Sequence, residues 1–151
     1  MAGFSIYDDD FAMKLDRLSS GFDIIAETAL NKASPYLKES LKREARNAVR
    51  HEGDSEMVNS IKAKKAKKSK NGAWIANVIP TGYSSHTFTR TKGKKVRKYK
   101  VTNAAKMIWL EYGNRGGKQP ARPFIKKATN DAEAKVLETI QNELDRKVDS
   151  L

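Results

Sequence analysis

The chain has no cysteine among its 151 residues, which excludes disulfide frameworks and every zinc site built on thiolates. The redox compartment stays open, because a cysteine-free chain suits reducing and oxidising surroundings alike. Histidine is nearly as scarce. His51 and His86 are the only two, and each sits in a polar stretch, so neither reads as a catalytic base. No apolar run approaches the roughly 18 residues of a membrane span, and the N-terminus lacks the basic-then-apolar layout of a signal peptide. These absences predict a soluble, unsecreted protein with no membrane contact and no metal or cofactor. At this length a single domain, residues 1–151, can bury a core without staples.

The most informative absence is local. Residues 57–110 contain 14 basic side chains and not one carboxylate, whereas residues 1–56 carry 8 basic and 11 acidic groups and residues 111–151 carry 8 and 7. The whole net charge of +12 therefore sits in a central block. Such asymmetry points to a polyanion or an acidic protein surface as partner. The candidate DNA- or partner-facing residues fall in two groups: Lys62, Lys64, Lys65, Lys67, Lys68 and Lys70, then Arg90, Lys92, Lys94, Lys95, Arg97, Lys98 and Lys100. Three readings stay open. The lysines protect a sheet edge and aid solubility, or they meet DNA phosphates without regard to sequence, or they grip an acidic neighbour. Few aromatics stand in register with the charges, which argues against a stacking platform for single strands.

Along the chain, Asp8, Asp9 and Asp10 precede apolar residues at Phe11, Leu15, Leu18, Phe22, Ile25, Ala26, Ala29 and Leu30, the spacing of an amphipathic helix with acids at its positive end. Ser34-Pro35 reads as a cap and first helical residue, so a second helix is expected there, bearing Leu37, Leu41, Ala45, Ala48 and Val49 and ending at Gly53. Its other face, with Lys38, Lys42, Arg43, Arg46 and Arg50, reads as solvated. Asn71-Gly72 then separates a strand-like run from Ala73–Pro80 and predicts a hairpin. Trp74, Ile75, Val78 and Ile79 are the expected sheet core.

Residues 81–100 read as a loop, mobile over about 83–100 until a partner binds, because seven like charges with little apolar content do not offset ordering entropy. The alternative is a long hairpin turning at Lys92-Gly93-Lys94 with Phe88 facing Tyr99. A short helix through Ala104–Tyr112 should stop at Gly113. A final helix from Pro123, with Phe124, Ile125, Ala128, Ala132, Val136, Ile140, Leu144 and Val148 on one face, would run about 27 residues or roughly 40 Å. The fold class is α+β: a small antiparallel β-sheet packed against N-terminal helices and a long C-terminal helix.

Gly113-Asn114-Arg115-Gly116-Gly117-Lys118-Gln119 is no phosphate loop. The first Gly is one residue too close to the Gly-Lys pair, Gln119 stands where magnesium needs a hydroxyl, and no clear strand precedes it. The chain therefore offers no nucleotide site. Glu111 is the one carboxylate beside an apolar run, expected to fix the following turn through a hydrogen bond or ion pair with Arg115 or Arg122, or to bridge subunits.

Glu111-Tyr112-Gly113 followed by Ala121-Arg122-Pro123-Phe124-Ile125 resembles a pair of elements in the tail-completion, or neck (head-tail joining), proteins of tailed bacteriophages. In that family a Glu-aromatic-Gly element is followed after a short loop by an Ala-x-Pro-Phe-Leu/Ile element that opens the C-terminal helix. Gly53–Ile61, with Met57 where Leu is usual, resembles the family's turn and strand start. The resemblance spans some two thirds of the chain and leaves out the basic segment 83–100. It implies a non-enzymatic virion protein of the head-tail interface, assembled in the host cytoplasm. It further implies a homo-oligomeric ring between a head connector or head-completion protein and a tail terminator or tail tube, with DNA passing through. Glu111, Tyr112, Gly113, Ala121, Pro123 and Phe124 are its structural motif residues. The alternative is a stand-alone basic DNA-binding or architectural protein.

Overall fold

The computed structural model describes residues 9–50, 54–114 and 119–150. Its element order is α1 (Asp9–Ala48), α2 (Ser55–Asn59), β1 (Ile61–Ala63), β2 (Lys67–Lys68), β3 (Trp74–Ile75), β4 (Val78–Pro80), β5 (Tyr83–Lys92), β6 (Lys95–Thr102), α3 (Asn103–Tyr112) and α4 (Ile125–Val148). Long helices frame small antiparallel β ladders, so the α+β class expected from the sequence holds.

The two N-terminal helices expected from Ser34-Pro35 are one. α1 runs 40 residues with Pro35 inside it. A proline there removes one hydrogen bond of the ladder, and tertiary packing outweighs that loss. On either side of Pro35, Ile25, Ala29, Ala33, Leu41 and Ala45 are buried, and α1 lies antiparallel to α4. Arg43 meets Asp131 at 3.0 Å, Glu44 meets Lys127 at 2.8 Å, and Lys32 pairs with Glu143 further along. Ala128 and Ala132 are the buried residues of α4, and the Ser40 hydroxyl donates to the Ala128 carbonyl at 2.8 Å. Small side chains permit this close approach. Gly53, the expected end of the second helix, lies outside the described residues, and α1 ends at Ala48.

The core gathers Leu41 and Ala45 of α1, Met57 and Val58 of α2, Ile61, Met107 and Leu110 of α3, and Phe124 and Ala128. Residues 55–59 are therefore a short helix rather than part of a strand-like run, because that conformation points Met57 and Val58 inward together. The strand begins at Ile61, also buried.

The Asn71-Gly72 hairpin forms, with Gly72 at φ 81°. Its arms split into two ladders: Lys67 and Lys68 pair with Ile75 and Trp74, and Ile61–Ala63 pair with Pro80–Val78. Of the expected sheet core, Val78 packs half-buried against the core cluster, and the rest of the expectation is overturned. Ile75 and Ile79 are exposed, Trp74 and Val78 half-buried, and Pro80 is the buried residue of the run. Polar residues of α1 hold this arm instead. Asp23 accepts from Lys68 Nζ at 2.7 Å and Trp74 Nε1 at 2.8 Å, and Asn31 Oδ1 accepts from the Ala66 amide at 2.8 Å.

Residues 83–102 are a regular two-stranded ribbon, so the loop reading gives way to the hairpin alternative. Its register pairs Phe88 with Tyr99, and Gly93 turns at φ 61°. The base is tied down. Thr81 donates to the Ser60 carbonyl from both its amide and its hydroxyl, the Asn103 amide donates to Gly82, and Ser84 and Val101 are buried. A bulge between Tyr83 and Thr87 frees the Ser85 amide, which donates to Glu56 at 2.8 Å. α3 then starts on a side-chain cap, in which the Ala105 amide donates to Thr102 Oγ1 at 3.1 Å. The last helix begins at Ile125 and spans 24 residues, slightly shorter than expected.

Candidate functional site

The two motif elements meet in one joint. Phe124, at the N-cap of α4, makes no capping bond with its own side chain. The buried Glu111 carboxylate supplies the cap from another helix: Oε2 accepts from the Phe124 amide at 2.8 Å and the Ile125 amide at 3.0 Å. A carboxylate at the positive end of a helix is favoured by both hydrogen bonding and the macrodipole. The expected partners differ. Arg122 instead donates its amide to the Leu110 carbonyl at 2.8 Å and reaches the Ala48 carbonyl through Nη1, and Arg115 lies outside the described residues.

Gly113 lets the chain turn out of α3 at φ 80°, ψ 170°. A Cβ there would lie 3.1 Å from both the Ala121 nitrogen and the Gln119 oxygen, a tight approach that adds to the preference of this positive φ for glycine. Phe124 is buried, Tyr112 is exposed, and Ala121 and Pro123 are exposed at the rim of the joint. Thus Glu111, Gly113 and Phe124 form the joint itself, while Tyr112 stands exposed beside it.

The cationic candidates are distributed over two surfaces. Lys62, Lys64 and Lys65 line a cavity of about 540 Å³ with Lys38 and Lys42 of α1. Lys67 and Lys70 are exposed nearby. Lys68 is engaged by Asp23, whose carboxyl is held below the usual range first by Lys68 and then by Trp74. Arg90, Lys92, Lys94, Lys95, Arg97, Lys98 and Lys100 all lie on the β5–β6 ribbon and are exposed.

One cluster escaped the sequence reading. Lys106, buried in α3, donates to His86 Nδ1 at 2.8 Å and meets Asp54 at 3.3 Å. With Trp109 and Phe88 these groups line a cleft of about 580 Å³. Glu56, close by, has its carboxyl held down first by the Ser85 amide, with Lys106 and His86 adding to the effect. The available signal was Lys106 itself, the single cation inside the apolar run 104–112. His51 lies outside the described residues.

Among the described residues no group of three or more His, Asp or Glu is placed to hold a metal ion, and no helix is long and apolar enough to cross a membrane. No protein-family model, curated protein or solved structure matches the chain.

Proposed function

We propose that the chain is a non-enzymatic structural subunit of the head-tail interface of a tailed bacteriophage, one copy in a ring that completes the tail end and docks it to the DNA-filled head. The observation that carries this reading is the Glu111 joint. The two sequence elements that resemble the neck proteins are separated by a loop, yet Glu111 of the first caps the helix opened by Phe124 of the second. A motif whose members hold one another in place is a fold signature, which suits a family related by architecture rather than by catalysis. Ring formation needs surface to cover. Met13 and Ile24 on one side of α1, and Leu15 and Phe22 on the opposite side, are all at least half exposed, apolar surface of the kind that subunit contacts bury.

Electron microscopy of a lysate from a phage whose copy of this gene carries a stop codon tests the proposal. Separate DNA-filled heads and unattached tails are expected. Complete particles would overturn it and move the stand-alone DNA-binding reading to first place, which the exposed cationic ribbon favours.

A further inference from the structure

Every residue from Ser85 to Lys100 is exposed, although the segment is a regular two-stranded ribbon. An isolated hairpin is marginal in water, so the side chains opposed across it matter. The register places Phe88 opposite Tyr99, Arg90 opposite Arg97 and Lys92 opposite Lys95. Side chains alternate between faces at every residue, so these three pairs share one face.

The first pair stabilises the ribbon, its rings stacked 5.4 Å apart. The other two work against it, because like charges directly opposite one another destabilise an antiparallel pair. None of the four cations is in an ion pair among the described residues. On the other face, Thr87, Thr89 and Thr91 stand opposite Lys100, Lys98 and Val96. There each cation is opposed by a neutral residue. Solubility alone needs no like-charge rungs, and the second face shows how the same strands carry charge without them. A cavity of about 560 Å³ opens on the ribbon, lined by Arg90, Thr91, Lys92, Lys95, Arg97 and Tyr99.

We propose that this face of the β5–β6 ribbon, Arg90, Lys92, Lys95 and Arg97 with Tyr99 at its inner end, binds the phosphodiester backbone of nucleic acid. Successive rungs lie two residues apart, roughly 7 Å along the strand, and each presents two cations. A repeating row of cation pairs complements a polyanion that repeats its charge, which a nucleic acid does and the scattered carboxylates of a folded protein do not. Phosphates between the rungs offset the repulsion within them, and the two arginines offer forked donors that suit phosphate oxygens. A two-stranded ribbon also has the dimensions to enter the major groove of a duplex. Contacts of this kind do not read sequence. The inference goes beyond the proposed function and does not depend on the head-tail role: complete particles in the lysate experiment would leave it standing.

The test is a salt titration of the full chain with a short labelled duplex, followed by fluorescence anisotropy. Removing the rungs with R90S, K92S, K95S and R97S together is expected to weaken binding at least about tenfold and to flatten the salt dependence by roughly 3 to 4 in log–log slope, near 0.9 per lost phosphate contact. The double variant R90S/R97S should show about half that change in slope, and it serves if the quadruple variant fails to fold. The charge-matched variant K62S/K64S/K65S/K67S, on the other cationic surface, should leave the slope within about one unit of wild type. Equal losses from the two quadruple variants would mean diffuse attraction and sink the proposal. So would failure of the wild-type chain to bind duplex at low salt, or displacement of the duplex by a folded acidic protein at equal charge, which would point to a protein partner.

Discussion

Glu111 holds Phe124 by a 2.8 Å bond from the Phe124 amide to its carboxylate, reaching across 13 residues of sequence. A helix start is thereby capped from the end of the preceding helix. Glu111→Gln keeps the shape but removes the charge, and it should lower unfolding free energy by about 1–2 kcal/mol; Glu111→Ala, which leaves two amides uncapped, should cost about 2–3 kcal/mol. Urea unfolding measures both. If stability and oligomeric state are both unchanged in Glu111→Gln, the carboxylate has neither a structural nor an interface role.

Gly113 occupies backbone space that is almost closed to other residues, with a neighbouring main chain where a Cβ would go. Gly113→Ala should therefore destabilise by about 1–3 kcal/mol. The loss should shrink if Gln119 and Ala121 are free to shift, and a thermal melt of the variant decides.

Pro35 lies inside α1, where it removes a backbone donor from an otherwise continuous helix. Pro35→Ala is expected to raise stability by roughly 1–3 kcal/mol, the interior proline penalty less the entropy that proline removes from the unfolded chain. Equal or lower stability would mean that Pro35 sets a bend which the α1–α4 packing requires.

Glu44 is buried between α1 and α4 with Lys127 at 2.8 Å and Arg43 at 3.1 Å. Lys127 first and Arg43 second hold its carboxyl below the ordinary glutamate value, against the opposing effect of burial. Glu143, held down chiefly by Lys32 and then by Arg146, plays the same part further along the helix pair. A depressed folded-state value means that the stabilisation is fully present above the unfolded value of about 4.3 and is lost as pH falls through the lower folded value. Stability should thus fall below about pH 4. Glu44→Gln should be less stable than wild type at neutral pH, and denaturant midpoints of the two should converge in acid. A gap that stays constant down to pH 2 would contradict this account.

Much of the fold was legible because its signals are local. Apolar spacing of three and four marked the helices, Asn71-Gly72 marked its hairpin, and Gly113 marked the end of α3. The misreadings share a different cause. Pro35 carries a helix-start signal in isolation, but the chain on both sides of it packs against α4 and keeps one helix. Met57 and Val58 look like strand residues until the core requires both on the same side. Trp74 and Ile75 look like core, yet their arm is held by Asp23 and Asn31, whose contacts lie about 35 to 50 residues away in sequence. The composition of the charged ribbon suggests a loop, because it predicts poor burial. That prediction is right, since the ribbon is exposed, but cross-strand hydrogen bonds and the Phe88–Tyr99 stack need no burial to set a register.

The sequence by itself determined the α+β class, the helical faces, the carboxylate-free block and the importance of Glu111 beside a glycine stop, because periodicity, charge and backbone permission are properties of neighbouring residues. Only the tertiary structure decided that Glu111 caps α4 rather than pairing with an arginine, that Lys106 meets His86 and Asp54, and that four cations face one another in two rungs. Those facts depend on which distant segments touch and in what register. The first two follow from the packing of distant segments, which no window of sequence contains, whereas the ribbon stood open between loop and hairpin until cross-strand pairing decided it.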